Sequence, residues 1–167
     1  DRTKPQLTVL LHAQLLAYEK KYDEADRWLT EHCSTLPDPV SCNRTRVIYA
    51  ERLTEPGRFD EAATTYAASA CSTPTNCAAA FDWLGAIEAQ RNNPLLALSR
   101  FERAAEELPT AEAWLKVAES AARAGQYNRS ETALATVRRL GGASKTADLE
   151  KRLLEIRRTR MLQELEK

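Results

Sequence analysis

Four stretches of this chain line up on one another: "KKYDEADRWL" from Lys20, "GRFDEAATTY" from Gly57, "NNPLLALSRF" from Asn92 and "GQYNRSETAL" from Gly125. Their starts lie 37, 35 and 33 residues apart, and a period near 35 constrains the fold more than any single motif does. Each stretch opens on a turn residue and continues to Tyr22, Phe59, Pro94 or Tyr127. A small residue follows at Ala25, Ala62, Ala97 or Ser130, then a large one at Leu29, Tyr66, Phe101 or Leu134, and a breaker at Pro37, Pro74, Pro109 or Gly142. Upstream of each turn stands another small residue: Ala13, Ala50, Gly85 or Ala118.

This is the pattern of a helix hairpin. Helix A ends at the turn, helix B starts just after it, and the paired small residues let the two helices approach closely. The large residue fills the groove between them, and the breaker ends helix B. A single hairpin cannot bury both faces, so neighbours must stack. Composition agrees with an all-α fold, since long stretches rich in Ala, Leu, Glu and Arg have apolar residues at spacings of three and four. The expected repeats run over about 6–39, 43–76, 78–111 and 111–142. Residues 144–166 form a polar-backed capping helix with a Leu149, Leu153, Ile156 stripe that Met161 and Leu165 continue loosely. Its basic cluster, Arg157, Arg158 and Arg160, is interleaved with glutamates and reads as a solvated face.

The pattern resembles the tetratricopeptide repeat. The third unit carries it best, with Phe81, Leu84, Gly85, Ala97, Phe101, Ala104 and Pro109. The fourth has Trp114, Val117, Ala118, Gly125, Tyr127 and Leu134 but departs at Ser130 and Gly142. The second has Tyr49, Ala50, Gly57, Phe59, Ala62, Tyr66 and Pro74. The first departs most, with Val9 and His12 at large and Leu positions. The resemblance implies one domain over residues 1–167: a right-handed superhelical solenoid of four hairpins and a cap.

In this register the four cysteines form two equivalent pairs, "CSTLPDPVSC" from Cys33 to Cys42 and "CSTPTNC" from Cys71 to Cys77. Each spans a repeat boundary. One zinc ion needs all four sulfurs within about 2.3 Å, whereas equivalent points on neighbouring repeats lie about 8–10 Å apart. A redox site would favour C-x-x-C at a helix start. Buried free thiols remain an alternative to disulfides 33–42 and 71–77. As disulfides the pairs would close loops of about 10 and 7 residues, worth roughly 2–3 kcal/mol each, and would imply an oxidising compartment: bacterial periplasm or outer membrane first, secretion next.

Catalytic chemistry is not visible. The chain has 2 histidines and no metalloprotease, nucleophile-elbow, phosphate-loop or dinucleotide motif. His32 beside Cys33 is no nucleophile pair, because helix neighbours in sequence do not face each other. Asp23, Glu24, Asp60 and Glu61 suit the first turn of a helix B, where the dipole favours anions. The sequons at Asn43 and Asn128 are chance matches. With 24 basic and 24 acidic residues the chain has no excess of charge to draw it to nucleic acid or an anionic membrane. Any membrane attachment would come through an anchor ahead of residue 1, and no cofactor is expected.

What remains is binding of a protein or peptide. The resemblance places the ligand in the concave groove lined by helices A: Leu7, Leu10, Gln14 and Tyr18, then Arg44, Val47 and Glu51, then Asp82 and Ala86, then Glu112, Leu115, Glu119 and Arg123; the alternative for Leu7, Leu10 and Tyr18 is cover by a segment ahead of residue 1. The Lys and Asn of the family's peptide-carboxylate clamp are absent here. The expectation is a non-catalytic scaffold in envelope, secretion or surface assembly. The alternatives are a secreted Sel1-like repeat protein, whose extra glycines are missing, and the regulatory domain of a larger enzyme.

Overall fold

The computed structural model describes residues 3–55 and 57–165; the side chains of Thr3, Lys4, Arg157, Arg160, Gln163, Glu164 and Leu165 lie outside that description. The described residues are all-helical: α1 (Thr3–Tyr18), α2 (Tyr22–His32), α3 (Pro39–Ala50), α4 (Arg58–Ala70), α5 (Pro74–Gln90), α6 (Pro94–Glu107), α7 (Ala111–Arg123), α8 (Tyr127–Arg139) and α9 (Ala147–Leu165), with single 3-10 turns at Cys33–Thr35 and Ala143–Lys145. Two compact units divide the chain, Asp1–Thr73 with α1 to α4 and Pro74–Lys167 with α5 to α9. From α1 to α4 and from α5 to α8 consecutive helices pack on one another, α1 also touches α3, and α9 joins the second unit through Leu149 and Leu153.

The repeated small and large residues sit where a hairpin needs them. Ala25, Ala62, Ala97 and Ser130 are all 0 % exposed, as are Ala13, Ala50 and Ala118, and Gly85 is buried too. At the second unit's first hairpin a Cβ on Gly85 would stand 2.8 Å from the Phe101 ring, so only glycine admits that ring. Ser130 keeps the close approach and satisfies its hydroxyl by donating to the Ala118 carbonyl oxygen at 2.7 Å. Leu29, Tyr66, Phe101 and Leu134 are buried as well.

The turns repeat just as closely. The first residue of each aligned stretch has positive φ: Lys20 at 61°, Gly57 at 86°, Asn92 at 60° and Gly125 at 72°. At three of the four, the following N–H reaches back five residues, Lys21 to Leu16, Asn93 to Glu88 and Gln126 to Ala121, at 2.8–2.9 Å. This is the Schellman ending of a helix, which requires a left-handed residue at that place. The second hairpin has a longer turn, and there Gly57 is the N-cap of α4.

Two prolines open helices, and for Pro74 this departs from its expected place as a breaker. Pro74 opens α5 rather than closing α4, and Pro39 is the first residue of α3 behind the Asp38 cap. A first helical position has no N–H to lose, and proline's φ already suits it. Cys42 and Cys77 therefore lie inside α3 and α5, not ahead of them. Asn43 is buried at 5 % exposure, which closes its sequon to a glycan.

The cap of the second unit is present. Leu149 and Leu153 are each 5 % exposed, in one core cluster with Phe101, Val117, Ala121 and Leu134. Ile156 and Met161 turn outward, at 38 % and 62 % exposure, so the apolar stripe ends after Leu153. Of the basic cluster, Arg158 is exposed, and the side chains of Arg157 and Arg160 fall outside the described residues.

Candidate functional site

In the second unit α5 and α7, the two helices A, are tied by an ion pair. Lys116 Nζ donates to both carboxylate oxygens of Asp82, at 2.7 and 2.8 Å. A cavity lies on each side of it. One, of about 240 Å³, is lined by Ala86, Ala89, Phe101, Lys116, Glu119, Ser120 and Arg123. The other, of about 230 Å³, is lined by Ala78, Ala79, Asp82, Ala104, Leu108, Glu112, Ala113 and Lys116, with Thr75 and Thr110 at its rim. Alanines, Leu108 and one phenyl ring line the two cavities together with carboxylates and cations. Such a surface can take apolar side chains of an incoming chain while its backbone and charges stay at the rim.

Of the positions the resemblance suggested, this face gathers Asp82, Ala86, Glu112, Glu119 and Arg123. Leu115 is partly buried against the core instead. In the first unit Leu7, Gln14, Tyr18 and Arg44 are exposed and Glu51 is half-buried. Val47 is a correction, because at 0 % exposure it is a core side chain and offers nothing to a partner. Leu10 is partly buried, packed against the core cluster of Val9, Leu29 and Cys33. Val47 lies on α3, which packs against both α2 and α4.

The first unit also holds a polar network that the sequence reading missed. Asp26 on α2 is 0 % exposed. Its Oδ1 accepts from Arg46 Nε on α3 at 2.8 Å, and its Oδ2 accepts from Arg58 Nε on α4 at 2.8 Å and from Arg58 Nη2. Arg46 Nη2 also donates to Glu61 at 2.8 Å, and Arg58 reaches Glu55 and Asp23. The hydrogen bond to Asp26, then its charge and those of Glu55 and Asp23, hold the Arg58 guanidinium above its ordinary pKa against the cost of burial. The signal was in the register: Asp26 stands where the next units have Ala63 and Leu98, and Arg46 where they have Phe81 and Trp114. Charges at two apolar positions must find each other or destabilise the fold. No buried side-chain nitrogen or oxygen lacks a partner among the described residues, so the network reads as structural.

Both histidines flank one indole. The Trp28 ring lies 3.7 Å from His32, stacked, and 4.4 Å from His12, while its Nε1 donates to the Val9 carbonyl oxygen at 3.1 Å. His32 Nδ1 is 2.7 Å from the Trp28 carbonyl oxygen, and an oxygen acceptor assigns the proton to that nitrogen. Cys33 and Cys42 form a disulfide, with S–S 2.09 Å and Cα atoms 5.3 Å apart, so His32 has no thiol to activate. Cys71 and Cys77 are oxidised too, and no cysteine is free among the described residues. Two oxidised pairs are consistent with an oxidising, extracytoplasmic location.

No group of three or more His, Cys, Asp or Glu among the described residues is arranged to hold a metal, and no helix there is long and apolar enough to cross a membrane. Neither protein-family models nor curated proteins give a match to this chain.

Proposed function

We propose that the chain is a non-catalytic protein-interaction scaffold that works outside the cytoplasm and holds a peptide or protein segment on the face formed by its helices A. In this reading the hairpins are tetratricopeptide-like and continue as a right-handed solenoid capped by α9. The in-phase burial of small and large residues and the left-handed turn residues support it. The two oxidised cysteine pairs support a periplasmic or outer-membrane-associated role in a bacterium, with secretion next. No cofactor enters the reading.

The observation that carries it is the pair of cavities flanking Asp82–Lys116. A displayed library of random peptides selected on the immobilised protein tests it. Selection should enrich sequences with two apolar residues a few positions apart and charges beside them. A variant carrying Ala79→Trp and Ala86→Trp fills both cavities from exposed positions and should capture those sequences at least about tenfold less. Equal capture by the variant, or no enrichment on the parent, would sink the proposal.

A further inference from the structure

The first helix has two apolar faces. Val9 and Ala13 point into the core at 7 % and 0 % exposure, with Leu10 partly buried beside them. On another side stand Leu7, Leu11, Leu15 and Tyr18, at 58 %, 53 %, 55 % and 86 % exposure. Spacings of 4, 4 and 3 residues put these four within about 80° of helix circumference at about 100° per residue. The result is one continuous stripe that nothing among the described residues covers.

Its charge pattern narrows the partner. From Pro5 to Tyr18 there is no Asp, Glu, Lys or Arg, so the stripe has no rim charge with which to select a charged partner. Two copies can meet on it without like charges opposing. The stripe is also close to its own complement in reverse. Run antiparallel about a two-fold axis, Leu7 faces Tyr18 of the other copy and Leu11 faces its Leu15, and each contact occurs twice. The four side chains expose roughly 500 Å² per copy, so the pair would bury roughly 1,000 Å². The per-copy area is within the range of a large functional patch, and the pair's total falls among weak interfaces, at about the 1,000 Å² threshold for a specific contact. Leucines at such spacing also suit ridge-into-groove packing of two helices.

We infer that α1 is a homodimer interface, in which the Leu7, Leu11, Leu15 and Tyr18 stripe pairs antiparallel with the same stripe of a second copy. An interface of this size belongs to the weak, reversible class. The two cavities of the α5–α7 face carry no residue of the stripe, whereas Leu7 and Tyr18 are groove positions by the resemblance, so pairing on α1 would occupy that end of the groove.

Sedimentation velocity from about 5 to 500 µM should show a monomer–dimer equilibrium in the parent protein. Leu11→Glu with Leu15→Glu should weaken it at least about tenfold and leave helical content and the thermal midpoint in place, because both side chains are exposed. The register has its own check. Leu7→Lys alone and Tyr18→Glu alone should each weaken the dimer, while both in one chain pair Lys with Glu across the axis and restore affinity several-fold over either single variant. A parent that stays monomeric at about 500 µM overturns the inference, whatever else covers the stripe. A dimer that survives the Leu11→Glu, Leu15→Glu change places the interface elsewhere, and no recovery in the Leu7→Lys, Tyr18→Glu chain rules out the antiparallel register.

Discussion

Lys20 and Asn92 occupy a backbone region that side chains with a Cβ enter at a cost of about 1 kcal/mol, and asparagine bears it better than lysine. The equivalent places in the other hairpins are Gly57 and Gly125. Lys20→Gly is therefore expected to raise unfolding stability by about 0.5–1 kcal/mol in denaturant titration, although glycine usually weakens a helical protein. A second residue carries a pH dependence. Asp38 caps α3 by accepting from the Ser41 N–H at 3.2 Å. The Ser41 hydroxyl first and its N–H second hold the Asp38 carboxyl below its ordinary pKa, against a small cost of burial. A carboxylate held below its unfolded value stabilises fully above that value and loses its contribution as pH falls through the folded one. Asp38→Ala should thus cost about 1 kcal/mol near pH 7, and the difference from the parent should shrink as pH falls below the ordinary carboxylate range. A gap of constant size across that range would show that the carboxylate charge is not what caps the helix.

At the scale of elements, the contrast between hairpins is chemical. In the second unit α6 packs on α5 through Gly85 against Phe101, an apolar contact legible from the repeat. In the first unit three helices meet through a buried carboxylate and two guanidinium groups. The Asp26 and Arg46 side chains are only 0 % and 4 % exposed, so removing one leaves a buried charge. Asp26→Ala or Arg46→Met alone should cost about 3–5 kcal/mol in thermal or denaturant unfolding. Together they restore an apolar character like that of Ala63 and Phe81, and the double variant should recover at least about 2 kcal/mol relative to the sum. Strict additivity would mean that the two groups do not act as a unit. Hairpin closures and their left-handed turns were readable because each depends on a few neighbouring residues, whereas the starts of α3 and α5 were misplaced because a proline opens each. The network was not readable, since Asp26 meets partners 20 and 32 positions away.

For the molecule as a whole, oxidation of the cysteines is the property most directly measured. Alkylation of the unfolded protein should add no label before reduction and label all 4 cysteines after it; label before reduction would contradict the staples. Replacing Cys33 and Cys42 together by alanine should lower stability by about 2–4 kcal/mol, since both are buried, at 2 % and 0 % exposure. The sequence by itself determined the helix pairs, their turns and the residues at each closure. A small residue, a left-handed turn and a groove-filling side chain are local needs that recur with the repeat. Only the tertiary structure decided that Val47 faces inward, that Asp26 is buried with its charge, and that the Leu7 to Tyr18 stripe is left open. Burial belongs to a pair of surfaces, and one helix's sequence does not contain the surface that comes to meet it.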